Sequence, residues 1–443
     1  MTKTTTRADS IIDAGWIIPV NPRRETLTQH SLVVIQGQIV TLLPTAEVGK
    51  HYHSDCHHSL PNHLLIPGLI NAHGHAAMTL FRGLADDLPL MSWLQDHIWP
   101  AEAQWVNEEF VHDGTQLAML EMLRSGTTTF SDMYFFPDVA ARAVHDARMR
   151  CQISFPILDF PTAWARNADD YIHKGLELFD DFGNQQLINI AFGPHAPYTV
   201  SDAPLQRIIT LSEELDSPVQ IHLHETAQEL RDAFLADRRR PIQRLDELGL
   251  LSPRLQCVHM TQLDDRDIQL LRQNNCHVVH CPNSNLKLAS GFAPIARLHG
   301  AGVNVALGTD GAASNNRLDM LGEMRNAALL AKAVSNDASA IDAHTALELA
   351  TINGARALGI DEQTGSLETG KAADIAAIDL SAIESQPLYN PLSQLVYATD
   401  PSQVSHVWVN GELLLSERKT LTLDATRIIS RAHSWADKIQ ARK

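Results

Sequence analysis

The chain of 443 residues has little of what marks several large classes of protein. Its five cysteines (Cys56, Cys151, Cys257, Cys276 and Cys281) form no C-x-x-C pair, so neither a disulfide framework nor a zinc ribbon fits. Basic residues are few: 35 Lys and Arg stand against 52 Asp and Glu, a formal charge of −17. That balance offers no electrostatic footprint for a phosphate backbone, so nucleic acid is not an expected partner. No run approaches the ~18 apolar residues of a membrane span. The opening MTKTTTRADS has no apolar stretch of the kind a secretory signal needs. A soluble, cytoplasmic protein without a membrane partner is expected. G-x-G-x-x-G is missing too, which weakens the reading as a doubly wound dinucleotide-binding sheet. What is present is enough hydrophobic residue (44%) to bury a large core, and an unusual number of histidines, 22.

Short apolar runs between Asn, Pro and Gly turn signals predict strands from about Ala8 to Leu43. The His-rich stretch from His51 to His63 reads as a loop. From Leu64 onward, runs ending near His75, Met133, Leu158, His195, Glu225, Met260, Pro282 and Gly311 alternate with amphipathic helical stretches such as Gln116 to Arg124, Asp138 to Arg148 and Leu205 to Leu215. Eight β–α alternations over roughly 250 residues is the count of a (β/α)₈ barrel. His344 to Leu358 reads as one helix. Beyond Gly365 strand character returns, with a hairpin signal at Asn410-Gly411. The expected architecture is α/β: a TIM-like barrel over residues 64–364, with a small β-sandwich domain built from 1–63 and 365–443, the latter ending in a helix.

The chemistry gathers at the predicted strand ends. His73-Gly74-His75 closes the first, and residues i and i+2 of a strand share a face, so both imidazoles can converge on one ion. The fifth ends His222-Leu223-His224-Glu225; Gln228 stands where H-E-x-x-H needs its second histidine, so a zincin is excluded. The sixth ends at His259 and the eighth at Thr309-Asp310-Gly311. Residues of this kind, each ending a different barrel strand, point to one mouth. Imidazole and carboxylate without thiolate suit Zn²⁺, with Fe²⁺ or Mn²⁺ as alternatives. Such an ion lowers the pKa of a coordinated water toward ~7. Asp310 is placed to accept that water's proton and Glu225 to carry it to the substrate.

Pro67-Gly-Leu-Ile-Asn-Ala-His-Gly-His75, Phe192-Gly-Pro-His195, His222-Leu-His-Glu225, Cys257-Val-His259 and Gly308-Thr-Asp-Gly311 together resemble the amidohydrolase superfamily. More narrowly, they resemble its 5-methylthioadenosine/S-adenosylhomocysteine deaminase family. The resemblance implies His73, His75, His222 and Asp310 as ligands of one zinc per subunit. It makes Glu225 the proton shuttle to purine N1 and has His259 polarise the attacking water. Trp93 would pack against a nucleoside, Glu102 would accept from its ribose hydroxyls, and His195 and Ser314 would contact the sugar and its 5′ side. Binuclear members bridge two metals with a carboxylated lysine on the fourth strand. The only lysine between His75 and His222 is Lys174, in an apparent helix, so one metal is expected. The resemblance also implies a homo-oligomer, a dimer or a tetramer.

Members that accept S-adenosylhomocysteine need cations for its carboxylate. Phe155 stands where one such arginine is expected, and Arg166 follows in a loop. An apolar Phe155 with Trp164 nearby favours 5-methylthioadenosine, with S-adenosylhomocysteine and adenosine as further substrates. Guanine deaminase or an s-triazine chlorohydrolase-like enzyme is the alternative.

Overall fold

A computed structural model describes residues 5–441. Eight strands form the barrel: β5 (Leu69–Asn71), β6 (Thr127–Asp132), β7 (Arg150–Ile157), β8 (Ile188–Pro194), β9 (Val219–Leu223), β10 (Leu255–His259), β11 (His277–His280) and β12 (Asn304–Leu307). They pair in parallel, each with the next in sequence. Ala72 N donates to Leu307 O (2.9 Å) and Asp310 N to His73 O (3.1 Å), so the first and last strands meet and close the ring. The parallel crossovers place helices outside, and buried Leu, Ile, Val and Ala fill the layer between.

Inside the ring the packing is partly polar. Gln152, Gln220 and Gln256 are buried, and their amides bond one another: Gln152 Nε2 to Gln256 Oε1 (2.9 Å) and Gln220 Nε2 to the same oxygen (2.6 Å). This layer lies beneath the strand ends that carry the histidines, and it is fully hydrogen-bonded, which rigid support of a site requires.

The chain ends share a second sheet. It consists of β1 (Ser10–Ile17), β2 (Leu27–Ile35), β3 (Gln38–Pro44), β4 (His57–Pro67), β13 (Ile375–Asp379), β14 (Val404–Val409), β15 (Glu412–Ser416) and β16 (Lys419–Thr420). Their order is β16-β15-β14-β13-β4-β1-β2-β3. The sheet is mixed, only β1 and β4 being parallel. It is one curled sheet, with two wings folding over a small core that includes Ile12, Leu32, Leu65, Ile375 and Trp408. The β2–β3 turn meets the β14–β15 turn, where Ala373 N donates to Gly37 O (2.8 Å) and Gly411 N to Ala373 O (3.0 Å).

Two local expectations change. Residues 57–63, read as part of a loop, belong to the eleven-residue strand β4, which runs past the expected boundary at residue 63 to Pro67 and stays within the second sheet. Its polar side chains face outward while Leu60, Leu64, Leu65 and Ile66 are buried, and its partners come from distant sequence. His344 to Leu358 is two helices, Ala343–Leu349 and Ile352–Ala357. Thr351 between them leaves the helical region (φ −134°, ψ −97°), and its hydroxyl donates to Leu347 O at 2.5 Å. A β-branched side chain that takes a helix carbonyl competes with the next turn.

Candidate active site

His73 and His75 follow β5 rather than lie within it, His222 is on β9, and Asp310 follows β12. One ligand atom from each of the four lies within 4.8 Å of the others. The second ring nitrogen of each histidine is committed. His75 Nδ1 donates to Met133 O (2.6 Å), and His222 Nδ1 to His195 O (2.7 Å), since a carbonyl can only accept. His73 Nδ1 donates to Gln220 Oε1 (2.7 Å). In their neutral forms all three therefore turn bare Nε2 lone pairs inward, and His73 and His222 meet Nε2 to Nε2 at 3.2 Å. Lone pairs facing one another at that distance repel, and a cation between them removes the repulsion. Asp310 Oδ1 completes the set, 3.1 Å from His75 Nε2 and 3.5 Å from His73 Nε2. Its other oxygen accepts from Ser284 Oγ (2.6 Å) and Ser314 Oγ (2.7 Å). Burial opposes its charge, but the His73 and His75 imidazoles hold Asp310 well below the usual carboxylate range. Three imidazoles and one carboxylate with oriented second partners fit a single divalent cation with a position left open. Lys174 is in the outer helix Ala168–Phe182, bonded to Trp164 O, so this lysine does not bridge a second ion.

The backbone is strained around this cluster. His224 (φ 53°), His259 (φ 76°), Met260 (φ 49°) and Asp310 (φ 60°) are all left-handed without being glycine, a cost that concentrates at functional sites.

His75, His222 and Asp310 of this cluster line a cavity of about 550 Å³ whose walls also include Trp93, Glu102, Tyr134, His195, Tyr198, Glu225 and His259. Glu225 is 6% exposed and accepts from Ser290 Oγ (3.1 Å). Burial, aided by the Asp310 charge, lifts it to about 8. His259 Nε2 stands 3.7 Å from Glu225 Oε2, and its Nδ1 is 2.9 Å from Asn285 Oδ1. Glu102 is lifted by burial to about 7 and accepts the Tyr134 hydroxyl at 2.8 Å. His195 is lowered by burial to about 4, so it is neutral at pH 7, and its Nδ1 meets Thr199 Oγ1 at 3.0 Å. Trp93 begins a π-helical turn, Trp93–Ile98, between Leu90–Ser92 and Trp99–Trp105. Such turns recur at functional sites because they shift the register of side chains.

Three expected contacts do not reach the cavity. Phe155 is fully buried, packed on Gly175 and, at 5.0 Å between ring centroids, on Phe192. Strand parity explains this: Gln152 and Ser154 bond within the barrel interior, so Phe155 points outward to the helices. Arg166 is 84% exposed and paired with Asp170 (3.0 Å). Ser314 is buried beneath Asp310 and holds that carboxylate rather than facing the cavity. The sequence reading missed Tyr134, Gln220, Ser284, Asn285 and Ser290. Gln220 had a signal, since it precedes His222 by two residues on the same strand face.

With a barrel whose mouth holds a His₃Asp cluster, the chain belongs to the amidohydrolase family, whose model matches residues 64–414. Within it, the chain is 57% identical over 438 residues to the 5-methylthioadenosine/S-adenosylhomocysteine deaminase of Saccharophagus degradans, covering 99% of this chain and 98% of that one. A 5′-deoxyadenosine deaminase of Methanothermobacter thermautotrophicus is 43% identical over 378 residues, covering 84% and 87%. The structure superposes on an adenosine deaminase from Xanthomonas campestris with bound zinc at a TM-score of 0.98 and 49% identity, covering 99% of this chain and 100% of that one.

Proposed function

We propose that this enzyme hydrolyses the C6–amino bond of an adenine nucleoside, first of all 5-methylthioadenosine, giving 5-methylthioinosine and ammonia. The observation that carries this reading is a buried Glu225 beside His259 (3.7 Å), next to the His₃Asp cluster and in one cavity with Glu102 and Tyr134. The relatives named as adenine-nucleoside deaminases support it. His73, His75, His222 and Asp310 would hold a divalent ion, which would supply acidity to a water at neutral pH. We take that ion to be zinc, as in the Xanthomonas structure.

Glu225 then donates its proton to purine N1 while the water oxygen adds to C6. Asp310 accepts the proton that the water gives up and returns it to the leaving amine; as the C6–N bond breaks, the remaining proton of the C6 hydroxyl passes to the Glu225 carboxylate and restores its acid form. Net, one water is consumed, ammonia leaves and C6 becomes a carbonyl. His259 orients the attacking water. Glu102 accepts from the ribose hydroxyls, with Tyr134 fixing the direction of its carboxylate, while Trp93 and His195 pack against the nucleoside.

Among the described residues no lysine or arginine lines the cavity, whose walls include Leu94, Trp99, Leu158, Phe160 and Pro161. An apolar wall of this kind suits a methylthio group. The carboxylate of S-adenosylhomocysteine finds no guanidinium there, so that substrate and adenosine rank after 5-methylthioadenosine. Zinc-loaded enzyme tested for ammonia release on 5-methylthioadenosine, S-adenosylhomocysteine, adenosine and guanine checks the reading. Methylthioadenosine is expected to lead in kcat/KM by about tenfold or more, equivalent to ~1.4 kcal/mol. Turnover of guanine alone would overturn the nucleoside assignment. Assembly as a dimer or tetramer belongs to the same reading and is checked by light scattering.

A further inference from the structure

The short helix Pro282–Lys287 after β11 touches reacting groups carried by two other strands. Its Ser284 holds Asp310, as described above, and its neighbour Asn285 holds His259. Asn285 is 2% exposed, and its amide NH₂ has no hydrogen-bond partner. A buried unpaired donor weakens the fold, and an apolar residue would remove that cost. The carbonyl half of the amide is the part with a partner, and that partner is His259 Nδ1. His259 is itself 1% exposed and stacks over His222 with ring centroids 5.5 Å apart and planes 21° apart.

A neutral imidazole carries one proton, and whichever nitrogen holds it leaves the other as an acceptor. If Nε2 held it, an N–H would point toward the cation cluster and the attacking water would lose its acceptor. With the proton on Nδ1, Nε2 is bare, 3.7 Å from the Glu225 carboxyl. It can then accept an O–H of the water and turn the oxygen lone pair toward C6.

We propose that Asn285 is a positioning residue: its carbonyl oxygen accepts the Nδ1 proton of His259 and so selects the tautomer with a bare Nε2 facing the reaction centre. The catalytic consequence rests on the deaminase reading above; the tautomer itself does not. Glu323, from the helix Met320–Ser335, anchors the device. Its carboxylate accepts from Asn283 N (3.1 Å) and Asn315 Nδ2 (2.6 Å), tying the loops after β11 and β12 together.

The test uses metal-loaded enzyme carrying ¹⁵N-histidine, with the His259 signals assigned by their loss in His259→Gln. The wild-type ring is expected to show a protonated Nδ1. In Asn285→Leu that signature is expected to be lost and kcat to fall about 10–100-fold, the usual cost of removing such a support, with KM and bound metal little changed. Asn285→Asp keeps an acceptor at the same place and is expected to retain the Nδ1 proton and most of kcat. A wild-type ring protonated at Nε2 overturns the proposal, as does an Asn285→Leu enzyme with full kcat, or equal losses in Leu and Asp variants. If Asn285→Leu does not fold, the wild-type and Asn285→Asp spectra decide. Because the spectra are read without substrate, a failure of the deaminase reading in the ammonia assay is seen separately.

Discussion

At the scale of single residues, Glu225 has to enter the reaction protonated, and its burial at the cavity wall provides for that by lifting it to about 8. Glu225→Gln keeps the shape but cannot deliver a proton. Its kcat is expected to fall by about 10²–10⁴-fold, the usual worth of a general acid–base group. Metal content, measured by elemental analysis, is expected to stay at the wild-type level, because Glu225 is outside the His₃Asp set. Tyr134→Phe removes the hydroxyl that directs Glu102. Kcat/KM for adenine nucleosides is expected to drop about tenfold, in line with a hydrogen bond to a charged acceptor. Turnover of a free base, which brings no ribose, is expected to be unaffected. The ligand cluster was legible in the sequence because histidine and aspartate at strand ends carry their chemistry in their identity. Phe155 and Arg166 were misplaced because a side chain's direction depends on strand parity and loop course, which one unaligned sequence leaves open. The supporting groups Tyr134, Ser284 and Asn285 are ordinary residues whose role exists only through the partner each one meets.

At the scale of elements, what could be read depended on whether the signal was local. The Asn410-Gly411 hairpin is one that was: both residues are left-handed (φ 49° and 79°), as a type I′ turn demands. The barrel strands were also readable, since each is a short buried run set between helical stretches. Strand β4 was not, because its outer face is polar and its ladder partners β1 and β13 lie far away in sequence. The Asn410-Gly411 turn also has a non-local duty, packing against the β2–β3 turn so that the two chain ends share one sheet. A Cβ at Gly411 would come within 2.7 Å of Gly37 Cα, and the positive φ disfavours any L side chain there. Gly411→Ala is therefore expected to destabilise the fold by about 1–3 kcal/mol, the usual range for overpacking. Thermal melting reads the loss. Because the turn belongs to the second sheet rather than to the barrel mouth, kcat at 25 °C is expected to remain unchanged.

At the scale of the whole molecule, the concentration of buried titratable groups makes stability depend on both pH and metal. Burial lowers His73 and His195 to about 4 and His224 and His280 to about 3. Between those values and the ordinary 6.5 the unfolded chain binds more protons than the folded one, so these groups add stability as pH rises to 6.5. Burial raises Asp132 to about 6, Glu102 and Glu229 to about 7, and Glu225 to about 8. Here the folded chain binds more protons, and stability falls as pH climbs from the ordinary carboxylate range through those values. Burial also pulls His75 down, but Asp310 overrides it and lifts the ring to about 9. Its contribution is complete below 6.5 and is lost as pH approaches 9. Below 6.5 the histidines and carboxyls therefore oppose each other, whereas above 6.5 the remaining contributions all point downward. The metal-free protein is expected to melt at a lower temperature at pH 8.5 than at pH 6.5. A divalent cation at the His₃Asp cluster displaces the His75 proton, removing one of the terms that fall. Loading is thus expected to raise the melting temperature more at pH 8.5 than at pH 6.5. Saturation at about 1,000 times Kd contributes ~4 kcal/mol at either pH before that difference is counted. Differential scanning calorimetry of chelator-treated and zinc-reconstituted protein at the two pH values measures it. Equal upward shifts at both would show that the cation does not bind among these titrating groups.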